Sequence, residues 1–125
     1  MEVTDNNTQK TILVAEDVES NFLLLKALLS KTYKLLHALN GQEAVKLFNE
    51  HQPDLILMDV KMPIMDGLEA TRLIRQQSTS IPIIALTAFA FDQDRIRVME
   101  AGCNDFLTKP LSPSILKETI AKYIE

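Results

Sequence analysis

Apolar positions along the chain fall into two alternating patterns. The first is a short run with an unbroken hydrophobic centre, as in TILVAE (residues 11–16), DLILM (54–58) and IPIIAL (81–86). Runs of this length bounded by polar residues predict strands. Residues 33–38 and the short segment 106–108 are read as strands as well. The second pattern recurs every three or four positions and predicts helices. Residues 20–31 place Phe22, Leu25 and Leu29 at i, i+3 and i+7, and residues 42–50 place Ala44, Val45 and Phe48 on one face. Asp66-Gly67-Leu68-Glu69 has the form of a capping box, and Ala70, Leu73 and Ile74 continue the helix it opens. Residues 92–101 form a helix that stops at Gly102, a glycine cap. Ser112-Pro113 reads as an N-cap followed by proline at the first helical position, opening a last helix to Tyr123. Asn40-Gly41 marks a turn. Pro82 stands near the start of its strand, where a proline is tolerated.

The order is strand then helix, five times over, without a repeat, a linker or a low-complexity tract. The strand runs are apolar on both faces rather than alternating. That marks a parallel sheet covered by helices on both sides, hence an α/β domain of three layers. Residues 1–10 (MEVTDNNTQK) are polar and aperiodic, so they are expected to be a disordered lead-in and not a signal peptide. Residues 11–125 are expected to form one domain.

Composition adjusts this picture only at its edges. At 125 residues with 46% hydrophobic content, the chain is long enough to bury a core without staples. The single cysteine, Cys103, allows no intrachain disulfide and is read as an inert core thiol. A net charge of −4 argues against a protein that holds nucleic acid by its phosphates. No apolar run approaches the length of a membrane span, so no membrane contact and a cytoplasmic location are expected.

The chemistry gathers where the strands end. In a parallel α/β sheet, ligands bind beyond the carboxyl ends of the strands, where strand order reverses. There the first strand delivers Glu16 and Asp17, the third Asp59, the fourth Thr87 and the fifth Lys109. Three carboxylates in one cleft repel unless a cation intervenes. An oxygen-only set of this kind suits Mg²⁺. The charged lysine is no metal ligand, but it can neutralise a phosphoryl oxygen, and Thr87 can donate to another. The nucleophile must be a carboxylate, because no Ser, Cys or His stands at a strand end with a base beside it. His37 in a strand and His51 in a loop have no second His or Cys at metal spacing and are read as structural. Met58, Met62, Met65 and Met99 are read as packing residues.

The segments ILVAEDVESN, LILMDVKMPIMDGLEATRLIR, PIIALTA and GCNDFLTKP resemble the receiver domain of two-component response regulators, in order and over residues 11–124. The wording of AEDVESN and DGLEATRLIR is most similar to receivers at the C-terminus of hybrid sensor histidine kinases. The resemblance implies a flavodoxin-like, doubly wound (βα)5 fold with strand order 2-1-3-4-5. It implies a signalling module, not an enzyme with a separate substrate: one that catalyses only its own aspartyl phosphorylation and dephosphorylation. Asp59 would be the phosphoacceptor. Asp17 and Asp59 would ligate Mg²⁺ by side chain, Lys61 by its backbone carbonyl, and Glu16 through water. Thr87 and Lys109 would bind phosphoryl oxygens, with Lys109-Pro110 cis. Phe106 would be the aromatic switch residue, acting with Thr87 on the surface of the fourth helix, fifth strand and fifth helix. Phe89 and Phe91, leading into that helix, pack inward or leave an apolar patch for a partner. The implied partner is a histidine kinase or a histidine phosphotransfer domain, which can lie in the same full-length chain. The implied oligomeric state is a monomer or a weak phosphorylation-dependent dimer.

The sequence departs from the commonest pattern twice. Glu16 stands where aspartate is most usual, and Phe106 where tyrosine is frequent. Two readings of other classes compete. A phosphohydrolase of the haloacid dehalogenase type needs a second aspartate two residues after the nucleophile, where this chain has Lys61. A flavodoxin-like FMN carrier needs a phosphate cradle after the first strand, where Glu16-Asp17-Val18-Glu19 would repel an anion.

Overall fold

The computed structural model describes residues 9–88 and 92–125. Most of the expected lead-in, and Phe89 and Phe91, lie outside the described residues. The strands are β1 (Thr11–Ala15), β2 (Lys34–Ala38), β3 (Leu55–Asp59), β4 (Ile83–Thr87) and β5 (Asp105–Thr108). The helices are α1 (Glu19–Leu29), α2 (Gly41–His51), α3 (Gly67–Arg75), α4 (Asp92–Ala101) and α5 (Pro113–Ile124). All four strand pairs are parallel, and the order is β2-β1-β3-β4-β5. This is the doubly wound arrangement expected from the sequence.

Side chains alternate between the two faces of a strand, so each strand feeds two cores. Ile12, Val14, Leu55, Leu57, Ile84 and Leu86 face α1 and α5, where Leu25, Leu29, Leu116 and Ile120 meet them. Leu13, Ala15, Ile56, Met58, Ile83 and Ala85 face α2, α3 and α4, where Phe48, Leu68, Ile74 and Val98 meet them. The central strands β3 and β4 are buried at every position. This is why their runs read as continuously apolar rather than alternating.

Three helix starts are capped, at Asp66 and Ser112 as the sequence predicts and at Asn40, where it marked only a turn. Asn40 accepts the Glu43 N–H at 2.8 Å, Asp66 the Glu69 N–H at 2.9 Å, and Ser112 the Ile115 N–H at 3.4 Å. α1 has Val18 at this position and no side-chain cap of its own. α4 ends at Gly102, whose φ of +115° disfavours any side chain, and a Cβ there would sit 2.7 Å from Arg75 Cγ. Strand boundaries shift by one or two residues from the sequence reading, and two shifts matter. β3 runs through Asp59 and β4 through Thr87, so both chemical residues are the last rungs of the ladder rather than loop residues. β4 begins after Pro82, which has no N–H to give and contributes only its carbonyl, to Ile56.

Candidate functional site

Each reactive side chain is delivered by a strand end. β1 stops at Ala15, and Glu16 follows with its N–H still bonded to the Ala38 carbonyl at 2.9 Å. Although it has left the strand, Glu16 is only 1% exposed. A buried carboxylate needs partners. One of its oxygens accepts the Val18 N–H at 3.2 Å, and the other lies 3.3 Å from Lys109 Nζ. The first contact thus supplies an acceptor to the start of α1 that Val18 itself lacks. Asp17, next along, is exposed.

Asp59 ends the central strand β3 and is buried. Its Oδ2 lies 3.2 Å from Lys109 Nζ, so the ammonium is shared between Asp59 and Glu16. Gly67 allows the chain after β3 to fold back tightly: its N–H donates to the Val60 carbonyl at 2.8 Å, and a Cβ there would stand 2.1 Å from the Asp59 carbonyl oxygen. Lys109 follows β5, with its N–H donated to the Thr87 carbonyl at 2.8 Å, and the Lys109-Pro110 peptide is cis, as expected.

Glu16, Asp17 and Asp59 each offer a carboxylate oxygen, and these oxygens lie within 4.8 Å of one another. Burial, and next the Glu16 charge, push the Asp59 carboxyl up to about 6 against the opposing pull of Lys109. Burial by itself would lower the Lys109 ammonium, but Asp59 and Glu16 outweigh it and hold Lys109 above its ordinary value. One cleft of about 270 Å³ is lined by Asp17, Asp59, Lys61, Thr87 and Lys109. The structure therefore brings together every residue placed here from the sequence except Phe106. Phe106 lies half-buried on the far side of β5, facing a separate groove of about 450 Å³, with the Arg95 guanidinium 5.1 Å above its ring.

Two features were missed. The Arg95–Phe106 contact joins α4 to β5 by a cation over an aromatic face. His37, read as a plain strand residue, bonds through Nε2 to the Glu16 carbonyl at 2.8 Å. Neither carries a spacing signal, because each partner comes from another element of the fold.

A shallow acidic cleft at the switch point of a doubly wound sheet, with a lysine facing its carboxylates, is what an α/β domain that handles a phosphoryl group is expected to present. Comparison with known proteins places it more closely. The response regulator receiver domain family matches residues 12–121. The polar-differentiation response regulator DivK of Brucella anthropi is 39% identical over 118 residues, covering 92% of this chain and 96% of DivK. The receiver domain of a sensor histidine kinase from Pseudomonas aeruginosa, solved with a magnesium ion coordinated in its active site cleft, superposes with a TM-score of 0.87 at 37% identity, covering 94% of this chain and 98% of that one. A chain of the co-crystal structure of the Saccharomyces cerevisiae histidine phosphotransfer protein Ypd1 with the receiver domain of Ssk1 superposes at 0.86 with 32% identity, covering 92% and 88%. The chain belongs to the response regulator receiver domain family. It is a signalling module of two-component phosphorelays, and the hydrolase and flavin-carrier readings fall away. Among the described residues, no helix is long and apolar enough to cross a membrane.

Proposed function

We propose that the chain accepts a phosphoryl group on Asp59 from a phosphohistidine, in a Mg²⁺-dependent reaction. The observation that carries this is the buried Asp59 carboxylate at the end of the central strand, with Lys109 Nζ at 3.2 Å and two further carboxylates beside it. Three acidic oxygens at this spacing, one of them already pushed toward protonation, form a donor set that a hard divalent cation relieves. Asp17 and Asp59 would hold it directly, with the Lys61 carbonyl, and Glu16 through water. Once bound, the ion would supply neutralisation of charge on the phosphoryl oxygens.

The chain's own residues do the rest. An Asp59 oxygen forms the bond to phosphorus while the bond from phosphorus to the donor imidazole breaks, and the electron pair leaves on the imidazole nitrogen. Lys109 neutralises one phosphoryl oxygen and the Thr87 hydroxyl donates to another. Much of the rate comes from this positioning and charge neutralisation. The donor is a histidine kinase or a histidine phosphotransfer domain. Its seat lies over α1, where Leu23 and Leu24 are half exposed and Leu24, Pro110 and Leu111 line an apolar hollow of about 150 Å³ beside Lys109.

A small phosphodonor such as acetyl phosphate, supplied with Mg²⁺, is expected to add one phosphoryl group, detected by intact mass. Asp59→Asn and EDTA should each abolish the addition. Single-site labelling that persists in Asp59→Asn would overturn the assignment.

A further inference from the structure

The end of the edge strand β2 grips the main chain of Glu16 from both sides. The Ala38 carbonyl accepts the Glu16 N–H at 2.9 Å, and His37 Nε2 lies 2.8 Å from the Glu16 carbonyl oxygen. A carbonyl oxygen only accepts, so the imidazole donates and Nε2 carries the proton. The ring is held in place by α1: it stacks on Phe22 with centroids 3.7 Å apart and planes within 1° of parallel. The carbonyl that His37 holds belongs to the peptide joining Glu16 to Asp17, two of the three clustered carboxylates. A peptide group is planar, so fixing its C=O also fixes the direction in which the chain enters Asp17. Glu16 has restraints of its own on its side chain, from Val18 and Lys109. Asp17 is exposed, and its place depends on the peptide that carries it.

We infer that His37 is a positioning residue for the acidic site: its Nε2–H, donated to the Glu16 carbonyl, sets the Glu16–Asp17 peptide and thereby places the Asp17 carboxylate for a divalent cation. The inference rests on reading Glu16, Asp17 and Asp59 as a Mg²⁺ site. Groups that orient a metal ligand without touching the metal contribute about 10–100-fold in affinity, and one that acts through the ligand's main chain belongs at the lower end of that range. The Phe22 stack gives the same imidazole a packing role, so the donor and the ring must be separated by experiment.

Mg²⁺ affinity of the unphosphorylated protein, measured by titration calorimetry, separates them. His37→Phe keeps a ring against Phe22 and removes the donor. His37→Val also removes the donor and is a natural strand residue, should the larger ring fold poorly. His37→Gln removes the ring and keeps an N–H at similar reach. The donor-less variants are expected to raise the Mg²⁺ dissociation constant about tenfold, while His37→Gln stays within about threefold of the parent. Melting temperatures in EDTA should follow ring packing instead, with His37→Phe at or above His37→Gln. Parental affinity in His37→Phe or His37→Val would overturn the inference. So would an equal loss in His37→Gln, which keeps an N–H at similar reach and should therefore retain affinity if the donor is what matters. A parent that binds no Mg²⁺ would overturn the metal site itself and this inference with it.

Discussion

Asp59 is held ionised at neutral pH against its surroundings. Burial and the Glu16 charge push its carboxyl up to about 6, whereas in the unfolded chain it ionises near 3.8. Between those values the folded protein binds more protons than the unfolded chain, so this group makes stability fall as pH rises through the window. The destabilisation is complete above the window and absent below it. Its size is at most roughly 3 kcal/mol. Asp59→Asn, unfolded by urea in EDTA, should therefore be about 1–3 kcal/mol more stable than the parent at pH 7.5 and nearly equal to it at pH 4. A gain of the same size at both pH values would trace the effect to something other than this carboxylate.

At the scale of elements, the α4–β5–α5 face is where a signal would leave the site. Thr87 ends β4, and β5 pairs with it rung for rung, Ala85 opposite Phe106 and Thr87 opposite Thr108. An inward pull on Thr87 by a phosphoryl oxygen would thus act beside Phe106, which is half-buried beneath Arg95 of α4. Without a hydroxyl, Phe106 gains burial on moving inward and loses no solvent hydrogen bond. Phe106→Ala should cost about 1–3 kcal/mol of stability, less than the loss of a fully buried ring. It should leave Asp59 phosphorylation near the parental level while shrinking the amide shifts that a beryllofluoride mimic produces on α4, β5 and α5. Shifts on that face as large as the parent's would make Phe106 a packing residue alone. The elements themselves were legible because burial on both faces leaves no polar position in ILVA, LILM or IIAL. Contacts such as His37 to the Glu16 carbonyl were not legible: every residue has a carbonyl, and only the register of β2 against β1 says which one an imidazole meets. Arg95 over Phe106 was hidden for the same reason, since the pairing depends on how α4 lies across β5.

For the whole molecule, the site at one edge of the sheet is linked to the stability of all three layers. A cation that binds the folded cleft and not the unfolded chain stabilises by mass action. At a Mg²⁺ concentration ten times its dissociation constant the gain is about 1.4 kcal/mol, or roughly 4–8 °C in melting temperature for a domain of this size. Asp17→Asn should melt at or above the parent in EDTA, since one of three crowded charges is gone, and should lose the Mg²⁺ response. A parental melting curve indifferent to millimolar Mg²⁺ would refute the metal site. The convergence of Glu16, Asp17, Asp59, Thr87 and Lys109 was legible at this scale, because a parallel sheet carries every strand's carboxyl end to one edge. The depth of each group was not. Glu16 is sealed in and Asp17 is exposed, although they are adjacent in sequence and alike in chemistry.

The ammonium of Lys109, set between Glu16 and Asp59 at 3.3 and 3.2 Å, makes the cleft a miniature ion exchanger. Its resident counter-ion is leashed to the end of β5 and never dilutes, so its local concentration stays in the millimolar range or above. A monovalent ion from solution offers the carboxylates no more charge than the leashed ammonium already does. A divalent ion offers twice as much. Were a divalent ion to enter, preference by valence would follow from these charges alone, and the exchange would free the Lys109 ammonium for an incoming phosphoryl oxygen.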